Sequence, residues 1–287
     1  MSAVPLHLIR YQLPMIWGVM QAFVPILRPR HADPDCRTLT RDIAAPADAL
    51  VNAYLAWSGA EPQRYVDHLP PHLVSQWGIP VVTALLLKTG YSLSGIINQG
   101  VSIQQHGRLP RHQPLRLTVH LESVEEDAGR IRLSAHVHTG TVEQPDLSIT
   151  TLHMLLIEPH YKRRKGDAQP VVPQHWNTIG QWQAIASDGL DFALLTGDFN
   201  PIHWINAAAK RSPFRHLVLH GFGMFARSYE RIPQVEQLRS IDVRFLRPVP
   251  LPSQPLSVQV AVPDANGLIP LRLIGAANKV HMVGTYQ

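Results

Sequence analysis

The sequence predicts an α+β protein in which one unit, a long helix wrapped by a curved antiparallel sheet, is written twice. Three observations carry that expectation. Short segments recur in the same order: Trp57-Ser58-Gly59 against Leu195-Thr196-Gly197, His72-Leu73-Val74 against His216-Leu217-Val218, and Gln113-Pro114-Leu115 against Gln254-Pro255-Leu256. Their offset stays at roughly 140 residues, as a duplication requires. In each half, a turn, an apolar helix and several alternating strands follow one another in the same sequence.

The elements can be justified in chain order. Leu13 to Leu27 (LPMIWGVMQAFVPIL) is strongly apolar but too short for a comfortable membrane span, and Pro25 interrupts it. It ends in Arg28-Pro29-Arg30 with no small-residue cleavage site, so it reads as a helix packed on the body, with a membrane surface as the alternative. In the first half, Ile79, Val82, Leu85 and Leu86 fall on one face of a helix expected over Leu73–Lys88. Strands are expected near Leu115–Val124, Arg130–Thr139 and Ser148–Ile157, where β-branched residues alternate with polar ones. The stretch from Glu158 to about Val172, rich in Lys, Arg, Gly and Pro, predicts the hinge. In the second half a helix is expected over Leu219–Ile232. Strands should follow near Ser240–Leu246, Leu256–Val262, Ile269–Ile274 and Lys279–Tyr286. Along Ile241, Val243 and Phe245 apolar side chains alternate with Asp242 and Arg244, which predicts one buried and one wet sheet face. The expected organisation is an apolar extension over 1–36, a first unit over 37–160, a basic linker over 161–174 and a second unit over 175–287.

Composition narrows the function. With 45% apolar and 16% charged residues in 287, the chain can bury a real core, which excludes a disordered protein. A net charge of +5 invites a nucleic-acid reading, but the basic residues are scattered and no nucleic-acid-binding motif is present. The one dense run, Lys162-Arg163-Arg164-Lys165, falls in the expected linker. A lone cysteine, Cys36, excludes an internal disulfide framework and fits a reducing cytoplasm.

The most informative stretch is Leu195-Thr196-Gly197-Asp198-Phe199-Asn200-Pro201-Ile202-His203, which places a carboxylate and an imidazole around an Asn-Pro turn. Asp198 and His203 can act as acid and base. Pro201 restricts the backbone of Asn200, whose side chain can close an Asx turn. Soon after, Leu219-His220-Gly221-Phe222-Gly223 opens a helix. Unpaired N–H groups there, at Gly221 above all and beside Gly223, can hold a growing negative charge, since glycine permits close approach. Each piece has a plainer reading. Asp198 and Asn200 can simply cap a turn before a helix over Ala207–Arg211, His203 can be an ordinary buried histidine, and His220 can shape the helix start alone.

Together, TGDFNPIH and LHGFGMFA resemble the MaoC-like (R)-specific enoyl-CoA hydratases and 3-hydroxyacyl dehydratases, whose pattern is S/TGD-x-NP-x-H followed by HG. The resemblance covers roughly Trp182 to Tyr286 well and the first half in outline. It implies a double hot-dog fold and reversible hydration of trans-2-enoyl thioesters. It makes Asp198 and His203 the catalytic pair, with Gly221, Asn200, His220 and Gly223 at the oxyanion and substrate. No cofactor and no metal are expected. The implied partner is an acyl-CoA or acyl carrier protein thioester, which a basic surface would attract. Nucleic acid and stable membrane insertion are not expected, and the chain should be a monomeric pseudo-dimer or a homodimer. Many relatives carry an acidic residue shortly after the histidine; here the chain reads Trp204-Ile205-Asn206.

Laid on the second half, the first puts Ala60 at the place of Asp198 and Gln76-Trp77-Gly78 at the place of His220-Gly221-Phe222. The first half is then a non-catalytic scaffold, expected to shape an acyl tunnel with Leu85, Leu86 and Leu87. Three rival readings exist. A hot-dog thioesterase would want a carboxylate on the central helix, where only Glu230 stands. An acyl-thioester-binding protein would not need Asp198 with His203. A metal site could use His216 with His220, which lack the glutamate of a zinc-protease motif, or His136 with His138, which lack a third ligand.

Overall fold

The computed structural model describes residues 4–23, 35–89, 96–127, 130–157 and 175–287. A 3-10 segment, Leu6–Gln12, runs into α1 (Leu13–Phe23). The first half then gives β1 (Thr38–Ile43), α2 (Asp48–Ser58), α3 (Val74–Thr89), β2 (Ile96–Gln105), β3 (Leu115–Asp127), β4 (Arg130–Gly140) and β5 (Ser148–Ile157). The second gives β6 (Asn177–Trp182), α4 (Asp188–Thr196), α5 (Asn206–Arg211), α6 (Gly221–Tyr229), β7 (Ser240–Phe245), β8 (Leu256–Val260), β9 (Ile269–Ile274) and β10 (Val280–Tyr286). Apart from the short α5, the two lists match element for element.

The strands form one antiparallel sheet in the order β1-β3-β4-β5-β2-β7-β10-β9-β8-β6. Read inward from each edge, both halves have the same winding. They meet where β2 pairs with β7, Ser102 opposite Asp242. Exchanging the halves maps the Gly100–Arg244 pair onto Gln104–Ser240, so the seam is a local two-fold axis. The architecture is the expected double hot-dog. The three expected first-half strands and the four expected second-half strands are all present within a few residues. Three more, β1, β2 and β6, had no strong alternation to announce them; β2 (IINQGVSIQQ) carries Gly100 and several amides.

The pairing corrects the alignment of the halves. Leu69 N–H bonds Leu109 O just as Leu219 N–H bonds Val249 O, and bridges His68–Pro110 and Val218–Pro250 flank them. Leu69 therefore corresponds to Leu219 and Pro70 to His220. His72 is not the counterpart of His216, and Gln76-Trp77-Gly78 lies inside α3 rather than at the helix start. The other two matches hold: Gly59 and Gly197 both end helices, and Leu115 and Leu256 both open strands. The second-half helix is shorter than expected. Leu219 is held by the loop at Val249, and Arg231 and Ile232 turn through 3-10-type bonds to Ser228 and Tyr229 before Pro233.

Each helix buries one side against the sheet. Val82, Leu85 and Leu86 in α3 and Phe222, Phe225 and Tyr229 in α6 join the common core, and burial of each aliphatic side chain contributes about 1.5–3 kcal/mol. Leu85 and Leu86 are so completely enclosed (0% and 1% exposed) that they fill the core rather than line an open tunnel. On the N-terminal segment Val4, Leu8, Gln12 and Met15 turn inward, and it packs on α3 and α4. The expected hinge, its basic run at 162–165, and Val24 to Arg30 lie outside the described residues. Among the described residues no helix is long and apolar enough to cross a membrane.

Candidate active site

Two chain segments build the site. The first begins where α4 stops. Gly197 adopts the left-handed conformation (φ 85°), and its N–H closes on Ala193 O at 2.8 Å. Glycine is required there by φ and by space, since a Cβ would lie 2.7 Å from Met15 Cβ of α1. The turn throws Asp198 off the helix axis and into a 3-10 turn over Pro201–His203. Asn200 caps that turn, its Oδ1 accepting the Ile202 N–H at 3.3 Å, while Asp198 Oδ1 accepts the Asn200 N–H at 3.3 Å. Asn200 thus makes the Asx turn that its position before Pro201 suggests.

The second segment runs from Leu217 to Gly221. It is pinned to a loop by Leu219 N–H to Val249 O (2.8 Å) and Leu251 N–H to Leu217 O (3.0 Å). His220 is then the extended N-cap of α6.

The two imidazoles meet face to face, with ring centroids 3.6 Å apart and 28° between planes. His203 Nδ1 lies 2.7 Å from Val218 O. A carbonyl only accepts, so the proton sits on Nδ1 and Nε2 keeps a bare lone pair. His220 Nε2–H likewise donates to Asp198 O at 2.9 Å, and its buried Nδ1 has no hydrogen-bond partner. Burial lowers the His203 pKa, against the opposing pull of Asp198 and the Val218 carbonyl. Burial, reinforced by His203, drives His220 down to about 3. Both rings are therefore neutral near pH 7. The Asp198 side chain, by contrast, is about a third exposed (36%).

At the start of α6 the first helical bond is Met224 N–H to His220 O (3.0 Å), so the N–H groups of Gly221, Phe222 and Gly223 precede the ladder. Gly221 is half-buried, and the Phe245 ring fills the space of a side chain, 2.6 Å from an ideal Cβ. Gly223 differs. It is buried, and its missing side chain makes room for Trp57, Leu219 and Phe192, which accounts for it by packing alone. Asp198, His203, His220 and Gly221 thus come together, whereas Asn200 and Gly223 support the turn and the helix. Sequence reading missed Val218, whose backbone carbonyl fixes the His203 tautomer, and Phe245, which crowds Gly221. No local pattern marks either, because both act through long-range pairing.

The same comparison shows what the first half carries at the equivalent positions. Gly59 (φ 76°) ends α2 as Gly197 ends α4, and Ala60 follows it in place of Asp198. Pro62 opens a 3-10 turn as Pro201 does, so Arg64 stands where His203 stands. Pro71 takes the place of Gly221 and has no N–H at all. Carboxylate, imidazole and amide donor are all gone. Arg64 instead bonds Glu230, the C-cap of α6, at 2.7 Å, and Glu230 also accepts from Tyr65 (2.8 Å) and pairs with His72 (2.7 Å). Burial would raise Glu230, but these partners together hold its carboxyl below the usual range.

Asp198, His203 and His220 are also the one group among the described residues with ligand atoms close enough, within 4.8 Å of one another, to hold a metal ion. The stacking opposes it: lone pairs of near-parallel rings run side by side rather than converge on one point. His216 is exposed, and it bonds Leu217 O. His136 and His138 pair with Glu122 and Asp146 on the outer sheet face.

Comparison with known proteins agrees with this frame. Residues 167–267 match the family described as MaoC like domain, a span containing all four converging residues. Among solved structures, HtdX of Mycobacterium tuberculosis superposes with a TM-score of 0.70 at 20% identity, covering 87% of this chain and 99% of that one. A MaoC-like dehydratase from Phytophthora capsici gives 0.66 at 15%, covering 87% and 94%. An acyl-ACP thioesterase from Bacteroides thetaiotaomicron gives 0.56 at 9%, covering 88% and 98%. Likeness at such identities establishes the shared fold and leaves the chemistry to the site. No curated protein sequence matches the chain.

Proposed function

We propose that this chain, which carries a MaoC-like domain within a double hot-dog frame, hydrates trans-2-enoyl thioesters to (R)-3-hydroxyacyl thioesters and reverses the reaction. The second unit, 175–287, would do the chemistry. The first, 37–160, would be its scaffold, joined by the linker at 161–174. The observation that carries the reading is His203, its Nδ1 bound to Val218 O so that Nε2 is bare, close to Asp198 and stacked on His220, which opens α6.

In hydration, a water held by the Asp198 carboxylate loses a proton to His203 Nε2 as its oxygen bonds C3. The double-bond electrons move toward the thioester oxygen, which rests on the Gly221 N–H. His203 then returns the proton to C2 from the same face, so one water adds in the syn sense. Asp198 stabilises the imidazolium in between. A neutral His203 suits this role, because a base must be unprotonated at the start. The acyl carrier is coenzyme A or acyl carrier protein, and the lone Cys36 suits a reducing cytoplasm.

The test is loss of enoyl absorbance with crotonyl-CoA and a longer trans-2-enoyl-CoA. Asp198→Asn and His203→Gln should each lower kcat/KM by about 10²–10⁴-fold. Wild-type turnover that survives both changes would sink the assignment. Thioesterase action is the second reading, and the site gives it little. Glu230, the carboxylate that caps the C-terminus of α6, is sealed by Arg64, Tyr65 and His72. Release of free thiol without enoyl chemistry would favour it.

A further inference from the structure

The N-terminal segment is apolar on two opposite faces. Its inner seam of Val4, Leu8, Gln12, Met15 and Gly18 is buried. Its outer face presents Leu6 (66% exposed), Ile9 (44%), Leu13 (63%), Trp17 (51%) and Met20 (44%). These five recur at three- and four-residue steps and so form one stripe. A helix that is hydrophobic all round is normally enclosed, and an exposed contiguous apolar stripe marks a contact surface.

Charge identifies what fits the stripe. Residues 1–32 contain no Asp or Glu. Arg10 is exposed beside the stripe, stacked on Tyr11, and Arg28 and Arg30 follow in sequence. The chain as a whole is basic, at +5. Apolar side chains bounded by cations, with tryptophan within the stripe, match the boundary between headgroups and acyl chains of an anionic bilayer.

We propose that residues 6–20 dock this chain on an anionic phospholipid surface, lying in the interface rather than crossing it. The same segment braces the candidate site. Gln12 Nε2–H bonds Leu194 O at 3.0 Å, and Met15 packs on Gly197, the residue before Asp198. Docking therefore brings the turn carrying Asp198 to within about one helix diameter, ~10 Å, of the lipid. The proposal stands whichever thioester reaction the site performs.

Co-sedimentation with vesicles of phosphatidylcholine, with and without phosphatidylglycerol, tests it on the full chain. Wild type should sediment with the anionic vesicles and much less with neutral ones. Leu13→Ser/Trp17→Ser should lower that partitioning roughly tenfold or more. Arg10→Glu, which keeps the stripe, should also lower it. Thermal unfolding and turnover without vesicles should match wild type in the variants, since neither the stripe nor Arg10 belongs to the catalytic machinery. Equal sedimentation of wild type and both variants, or none by wild type, would overturn the proposal. So would sedimentation velocity showing a wild-type dimer that the double variant disperses, since a second copy would then cover the stripe.

Discussion

His203 and His220 are stacked, yet their free nitrogens have different fates. His203 Nε2 is left bare beside Asp198, while the free nitrogen of His220 is sealed in the interior. His220 therefore acts as a neutral plate: it backs His203 and holds the Asp198 carbonyl with its other nitrogen. A neutral plate has a consequence for stability. Below the ordinary histidine value of 6.5 the unfolded chain binds a proton that folded His220 refuses until about pH 3. Its contribution is complete above pH 6.5 and is lost as pH falls, by up to about 1.4 kcal/mol per pH unit. His220→Gln, which removes the titration, should flatten the decline of urea-unfolding free energy between about pH 7 and 5. Identical slopes in both proteins would mean that the folded ring accepts its proton normally.

At the scale of elements, three helices are tied by one buried ion pair. Asp188 opens α4 and accepts from both Arg227 nitrogens of α6, at 2.6 and 2.7 Å, and from Trp57 Nε1 of α2 at 3.0 Å. The Arg227 guanidinium also lies 4.3 Å from the Trp57 ring centre. Because the Asp188 side chain is 1% exposed, Arg227→Met would strand its charge, at a cost of about 3–5 kcal/mol. A loss under about 1 kcal/mol in chemical denaturation would show that the pair does not lock α4 against α6. No periodicity announces this clip, since its members come from three separated helices. What was legible had a local cause: alternation along Ile241–Phe245 and the spacing of Asp198 and His203 around Pro201. What was not legible depended on pairing. The equivalence of Pro70 with His220 follows from hydrogen bonds to Leu109 and Val249, and tripeptide similarity misplaced it. Strand β2 became visible only through its partners β5 and β7, the second of which completes the seam.

Over the whole molecule, the seam between β2 and β7 is accompanied by a second tie between the halves. Arg64, in the position equivalent to His203, reaches Glu230 of the other half, and Tyr65 and His72 complete its shell. The place equivalent to the His203 turn is thus a tie between the units. Glu230→Ala should then lower unfolding free energy by about 3–5 kcal/mol, because Arg64 and His72 lose their common partner in the interior. Enoyl hydration per folded molecule should be unchanged, as Glu230 takes no part in the site at Asp198. Wild type should unfold in one transition followed alike by fluorescence and circular dichroism. Two transitions would mean that the halves fold independently, and a fall in kcat equal to that of Asp198→Asn would return Glu230 to the chemistry.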